Sequence, residues 1–552
     1  MNFDSFKENV KQMLANFKSD KNYNKLYEFI ENYSVSTQPK YNNLDLKLEN
    51  KLIMENVVSL LDTDTQKMLF QIDEFKHYYE LGDLYSLWKI IYIKLEEPIL
   101  IIGAGVSGLT IASELDNNFL ILEARDRIGG RVYTNDKNMD MGAAWIHGCE
   151  NNPLNKFIDY NNMIPVAKCN PWMHSENIDI KYLSSSGILS EEYRQQIATK
   201  WNQIATQIGL KKNMTIYEAF LDLTLEGFNF DETKVGYAET KDSDTISQED
   251  ISSFLYMIEV WCGGSIKNIS TSFLNEDNYK NALFGDYGGS HYLFKNGAKT
   301  LLDNIINNAN LKRQNGYNLA NNILYNQVVT SINYNKDYYI EINTRDGLKY
   351  YCSKLCITVP PGPLKDICFS PPLDDLHKTA LSKIKMGSYK KIQLEFCKNE
   401  LGQIFDNCPM ILTYNPFILW NNYQYSKGKP ILEAICPAEA GWSLAGQSDE
   451  ELIDNMLHQI RNYYPHLPDP IAWHISRWEE DIFSQGAYSY HDINITDDDI
   501  YNVYKNINNQ IFFAGEYTDP VYYGSLHAAY NSGIRVLEEI KNIKNNVFIR
   551  NH

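Results

Sequence analysis

The sequence predicts an α/β protein in which a parallel-sheet nucleotide-binding domain is interleaved with an α+β domain and preceded by a helical extension. Three observations lead there. "EEPILIIGAGVSGLTIASEL" (96–115) runs from an apolar strand through a glycine turn into a helix-compatible stretch. A second wholly apolar strand, "QIFFAGE" (510–516), appears near the C-terminus. Between them, breaker-free helical runs such as "SEEYRQQIATKWNQIATQI" (190–208) alternate with strand-like runs such as "KKIQLEF" (390–396).

The chain has 552 residues, 44% hydrophobic and 22% charged, enough for two or more globular cores. Its 70 acids against 51 bases leave a net charge of −19. That excludes the basic footprint of a nucleic-acid binder; it keeps the chain soluble and would draw a cationic substrate. Among nine cysteines, Cys352 and Cys356 lie close, yet no histidine or second pair completes a zinc pattern. No metal, no structural disulfide and a reducing compartment are expected. "MNFDSFKENVKQML" carries charges where a signal peptide has its apolar core, and no run approaches the ~20 residues of a membrane span. A cytoplasmic location is expected.

In chain order, residues 1–95 are expected to be helical. Ser5 and Glu8 have capping-box spacing, and Phe6, Val10, Met13, Leu14 and Phe17 share one face, followed by Leu26, Phe29 and Ile30. This extension carries no interpretable motif, and its partner is unassigned. After Pro98, "ILII" predicts a strand buried on both faces. Gly103 permits the tight turn, Gly105 lets backbone approach a pyrophosphate, and Gly108 allows close helix–strand packing, the Rossmann-like arrangement. The pyrophosphate would meet the free N–H groups of the helix N-terminus. Glu123 ends the next strand, 20 residues after Gly103, the spacing of a carboxylate that binds ribose hydroxyls and repels a 2′-phosphate. Residues 150–285 are helical in flavour. Residues 322–360 turn to strands, with a hairpin signal at Asp346-Gly347. After 366, strands mix with helices such as "DEELIDNMLHQIRNYY", and from 505 a strand leads into a C-terminal helix.

"EARDRIGGRVYT" (123–134) decides between nucleotides, because it resembles the second half of the FAD signature in the flavin-dependent amine oxidase family. Four more segments match in the family's order: "MGAAWIHGCENNPL" (141–154), "MGSYKKIQLEF" (386–396), "RWEEDIFSQGAYSY" (477–490) and "FFAGEYTDPVYYGSLHAAYNSG" (512–533). WIHG is nearest to polyamine oxidases. The resemblance covers about 98–545 and omits only the extension.

It implies a Rossmann-like FAD-binding domain built from 96–150, 286–365 and 505–552, and a substrate domain from 151–285 and 366–504. Arg131 would offer its fixed fork to the pyrophosphate. Glu516 would approach the ribityl chain, and the helix from Ser525 would cover the pyrimidine end of the ring. Further cofactor contacts are implied for Ser107, Arg125, Gly130, Ala144, Trp145, Val329 and Leu526, beside Gly103, Gly105, Gly108 and Glu123. Lys391 is the lysine expected to face the flavin and assist oxygen chemistry, with Lys390 on the opposite strand face. His147 would sit near the substrate amine, to orient or deprotonate it; a hydrogen-bonding loop histidine is the plainer alternative. Substrate contacts are implied for Tyr488 and Tyr522, and Glu150 is a candidate acidic contact. Tyr488 matches one wall of the monoamine oxidases' aromatic sandwich, while the second wall falls on Ser525. Ala487 stands where those enzymes carry a flavin-linked cysteine, so FAD is expected to be held non-covalently.

The activity implied is oxidation of amines, foremost polyamines, by molecular oxygen to an aldehyde, a shortened amine and hydrogen peroxide. Two alternatives stay open: an L-amino-acid oxidase, which needs an arginine for the substrate carboxylate, and a flavin-bearing scaffold. A histone demethylase would call for a long helical tower, and no segment of that size stands out.

Overall fold

The computed structural model describes residues 97–115, 118–166, 180–184, 187–225, 248–274, 287–313, 318–336, 339–397, 408–414 and 416–550. It also describes 63–81 and the isolated positions 55, 58, 86, 87, 90 and 401. The expectations for Ser5 to Ile30 lie outside these residues.

Five parallel strands form one sheet in the order Ile511–Phe513, Lys354–Ile357, Ile99–Ile102, Phe119–Leu122 and Ile323–Leu324. Ile99–Ile102 is buried along its length, as its apolar composition requires. Alternation divides each strand between two cores. Leu100, Ile102, Leu120, Leu122, Leu355 and Ile357 face one of them. That core includes the hairpin of Tyr339–Thr344 and Lys349–Cys352, together with Leu69 and Phe75 from the helices Thr63–Leu69 and Asp73–Leu81. Ile99, Ile101, Phe119 and Ile121 face the other, packed on the helices Val106–Glu114, Lys299–Lys312 and Leu526–Arg550.

A second, mostly antiparallel sheet has seven strands, in the order Ala472–Ile475, Tyr389–Glu395, Ile431–Pro437, Leu419–Asn422, Met410–Leu412, Ile180–Ser184 and Gly187–Ile188. The helices Glu191–Leu210, Ile216–Leu225 and Gln248–Cys262 cover one face, and Asp449–Arg461 covers the other. Ser190 caps the first of these helices by accepting the Tyr193 N–H. The helical flavour of 150–285 is therefore incomplete. Ile180–Ser184 is a strand because it pairs in parallel with Met410–Leu412, some 230 residues downstream, a partner invisible to local periodicity.

Among the described residues the cysteines are unlinked thiols. No helix among them is long and apolar enough to cross a membrane, and none of their His, Cys, Asp and Glu side chains form a metal-binding group.

Candidate active site

The carboxyl ends of the parallel strands open onto a cavity of about 630 Å³. Ile102, Gly103, Leu122, Glu123, Thr358, Gly515 and Glu516 line it, all at or just beyond strand ends, where open α/β sheets bind ligands. The glycine turn is shaped by its neighbours. Gly103 sits at φ +103°, and a Cβ on Gly108 would lie 2.0 Å from the Gly103 carbonyl oxygen. Gly108 therefore packs helix on strand and does not line the cavity. A Cβ on Gly105 would meet only the Gly129 oxygen, 4.0 Å away, so this backbone is left open to an occupant.

Glu123 is buried, and its carboxylate accepts the N–H groups of Ala104 at 2.7 Å and Arg125 at 2.8 Å. Burial pushes its pKa up, against the pull of these two bonds. Arg125 forks onto Asp481, with both Nη–Oδ distances 2.7 Å, and donates to Ser484. Arg131 donates through Nη1 to Glu516 at 2.7 Å and to the Ala487 carbonyl at 3.1 Å. Both arginines line the cavity, as do Ser107, Gly130, Ala144, Trp145, Val329, Ser525 and Leu526. The Ser525 hydroxyl donates to the Tyr522 carbonyl and accepts the Ala528 N–H, so it caps the C-terminal helix.

Lys391 lines the same cavity, 3% exposed, and donates Nζ to the carbonyls of Gly142 at 2.8 Å and Asp140 at 3.0 Å. Its neighbour Lys390 is fully buried on the other face, paired with Glu479 at 3.1 Å. Around Lys391 the wall becomes aromatic and apolar: Trp145, Trp261, Tyr389, Tyr488, Met410 and Leu419. Tyr488 donates its hydroxyl to the Val260 and Trp261 carbonyls, and its ring lies 5.7 Å from Tyr389. His147 and His291 line it too, with Nδ1 atoms 3.3 Å apart. Burial, with His291 and His527 nearby, holds His147 well below the usual histidine range, so it is neutral.

Two expected substrate residues lie elsewhere. Glu150 is exposed and outside the lining, and its backbone bridges to Gly288. Tyr522 is also outside it and stacks on Tyr287 at 4.8 Å. Conversely, Trp261, Tyr389 and His291 escaped the sequence reading. Tyr389 was within reach of it: two residues before Lys391 in a strand, it must share the lysine's face. Trp261 and His291 arrive on a helix and a strand whose docking nothing local announces.

Comparison with known proteins adds an independent finding. A family model described as flavin containing amine oxidoreductase matches residues 106–540. Polyamine oxidase 5 of Oryza sativa subsp. japonica is 26% identical over 463 residues, covering 80% of this chain and 87% of that protein. Lysine-specific histone demethylase 2 of Homo sapiens is 24% identical over 494 residues, covering 83% of this chain and 55% of that protein. Lysine-specific histone demethylase 1 homolog 3 of Arabidopsis thaliana is 24% identical over 499 residues, 80% of this chain and 30% of that protein. The match thus spans about a third to a half of these demethylases and most of the polyamine oxidase.

Proposed function

Because this chain belongs to the flavin-containing amine oxidoreductase family and uses that family's cofactor, FAD, we propose that it oxidises polyamines with molecular oxygen, giving an aldehyde, a shortened amine and hydrogen peroxide. The parallel-sheet unit acts as a Rossmann-like FAD domain in this reading. The residues present suit the cofactor: an open Gly105 backbone, a buried Glu123 in place for ribose hydroxyls, and Arg131 on the wall.

Bound FAD supplies the hydride acceptor for the carbon beside the amine nitrogen. The chain's own groups do the rest. Trp145, Trp261, Tyr389 and Tyr488 exclude water and flank an alkyl chain, and their ring faces favour a nitrogen that arrives with partial positive charge. Neutral His147 has a ring nitrogen able to accept a hydrogen bond from the amine and so orient it, while burial makes it too weak a base to take the amine's proton. Lys391 holds positive charge beside the reacting centre, where oxygen gains negative charge.

The observation that carries the polyamine reading is the aromatic lining that Trp145, Trp261, Tyr389 and Tyr488 give the cavity holding Lys391. The lining arginines, Arg125, Arg131 and Arg345, stand on the segments around the glycine turn and on the strand connection after 344. Arg125 and Arg131 are already paired with Asp481 and Glu516, which disfavours the amino-acid oxidase. The lining carboxylates are Glu123, Asp366 and Glu516, and the net charge of −19 adds a longer-range attraction for a cation. Relatives with polyamine oxidase and histone demethylase names are similarly distant, so identity does not choose between their substrates.

A peroxide-release screen over spermine, spermidine, acetylated polyamines, putrescine, methylated lysyl peptides, aromatic amines and amino acids tests the reading. Polyamines should lead. A lead by amino acids or methylated peptides would overturn it.

A further inference from the structure

We propose that His291 is a positioning residue for amine oxidation: its Nδ1 engages the Nδ1 of His147 and so makes His147 Nε2 the nitrogen that meets the substrate amine. The proposal rests on the reading that His147 orients the amine.

The backbone brings the two rings together. Trp145–Ile146 pairs antiparallel with His291–Phe294, Trp145 opposite Leu293 and Ile146 opposite Tyr292. Carried one residue on, this register sets His147 opposite His291, and the bridge between Glu150 and Gly288 keeps the same register. Side chains directly opposite on an antiparallel pair share a face and interact. The other edge of His291–Phe294 pairs with Met163–Val166, so both edges of this strand are held. Just past His147, Gly148 turns at φ +75°, and a Cβ there would lie 1.8 Å from the Tyr287 carbonyl oxygen. The backbone around both imidazoles is therefore fixed, and what is left to set is the orientation of the His147 ring.

An imidazole given a half-turn about its Cβ–Cγ bond keeps its outline, but Nδ1 changes places with Cδ2 and Nε2 with Cε1. Aromatic packing discriminates weakly between the two orientations. Trp145 stacks on the His147 ring at 6.2 Å and 11°, and Trp261 lies 6.1 Å away, tilted by 54°. Neither contact depends on which edge of the ring carries nitrogen. His291 does depend on it: the two imidazoles meet edge to face, 5.3 Å between centroids and 84° between planes, with their Nδ1 atoms 3.3 Å apart. The half-turned ring would set a C–H against His291 Nδ1 and lose this hydrogen bond. His291 is 3% exposed, so bulk water is not at hand to replace the partner, and the unmade bond carries its full penalty. His291 thereby selects the ring orientation that presents Nε2.

The same bond sets which nitrogen of His147 donates. The ring is neutral, so one nitrogen carries a proton and the other accepts. An amine that gives up hydride from its neighbouring carbon needs its lone pair for the bond it forms to that carbon, and it therefore turns an N–H toward the protein. Nε2 accepts that N–H only when the ring proton lies on Nδ1, from where it is donated to His291 Nδ1. The third imidazole of the cluster, His527, is occupied differently, packed edge to face against Tyr287 at 5.0 Å and Tyr522 at 5.2 Å. Both His291 and His527 add to burial in keeping His147 neutral, so the order of donor and acceptor holds across the working pH range.

The test is anaerobic stopped-flow reduction of the FAD-loaded protein by spermine, followed by reoxidation with oxygen. His291→Leu should slow reduction about three- to tenfold, the size of one hydrogen bond, and leave reoxidation unchanged. His291→Asn, whose amide can bond from the same place, should restore most of the rate. His147→Ala should slow reduction as well, and in that background His291→Leu should have no further effect, because it acts through His147. Unchanged reduction in His291→Leu, or losses that add in the double variant, overturns the proposal. Histidine-selective 15N NMR of the FAD-loaded wild type gives a second measurement that needs no folded His291 variant. The His147 signal, identified by its loss in His147→Ala, should show the ring proton on Nδ1, and a proton on Nε2 overturns the proposal. Reduction unchanged in His147→Ala overturns it through its premise. Should spermine fail to reduce the flavin at all, the polyamine reading fails separately, and the position of the His147 proton still decides the role of His291.

Discussion

Arg131 and Glu516, 385 residues apart in the chain, form a 2.7 Å ion pair on the cavity wall. The pair ties the turn after Glu123 to the C-terminal segment, and Glu516 also accepts from the Ser489 hydroxyl at 2.5 Å and the Gly524 N–H at 2.8 Å. Glu516 is 7% exposed, so removing the arginine leaves a buried carboxylate without its ionic partner. Arg131→Gln should cost about 3 kcal/mol of stability and loosen FAD. Melting of apo- and holoprotein, with the 450-nm-region absorbance retained after gel filtration, checks both effects; full retention with unchanged melting would contradict this account.

Lys391→Met keeps roughly the side chain's bulk and removes its charge. FAD should still bind, and flavin reoxidation by oxygen should slow about tenfold or more, equivalent to ~1.4 kcal/mol of lost barrier lowering. Stopped-flow absorbance measures the step directly. An unchanged rate would remove Lys391 from the oxygen half-reaction.

Ala487, on the cavity wall before Tyr488, has no sulfur to form a thioether. FAD should leave the protein intact on acid precipitation, with the yellow colour in the supernatant. Colour retained by the washed pellet would show a covalent bond.

His491 stacks on Tyr523 at 3.7 Å, and burial lowers its pKa to about 4. The folded protein thus resists a proton that the unfolded chain accepts below about pH 6.5. Stability should be full above that value and decline as pH falls from 6.5 toward 4, by about 2 kcal/mol at pH 5 from this residue. His491→Asn should flatten the fall in melting temperature between pH 7 and 5. An identical slope in both proteins would show that His491 is not the source.

Turnover of a polyamine should weaken as salt rises, since the attraction depends on the overall charge of −19. Initial rates at subsaturating spermine across ionic strength measure this. A salt-independent kcat/KM would place recognition in local contacts instead.

By itself the sequence determined what contiguous residues and backbone can carry. Gly103 and Gly105 mark a strand-to-helix turn because a missing side chain is a local property, and Glu123 follows at a fixed distance because one helix and one strand separate them. The strand that carries Lys391 was legible from its segment, and the alternation that separates it from Lys390 follows from a two-residue period. Only the tertiary structure decided what surrounds that lysine. Trp261 reaches the cavity on the helix Gln248–Cys262 and His291 on the strand His291–Phe294, while Ile435 is set opposite Lys391 by pairing across the sheet. The same folding sends Glu150 outward, through its bridge to Gly288, and turns Tyr522 onto Tyr287. Periodicity says which face of an element a side chain occupies. Which other element that face meets depends on packing among residues hundreds of positions apart.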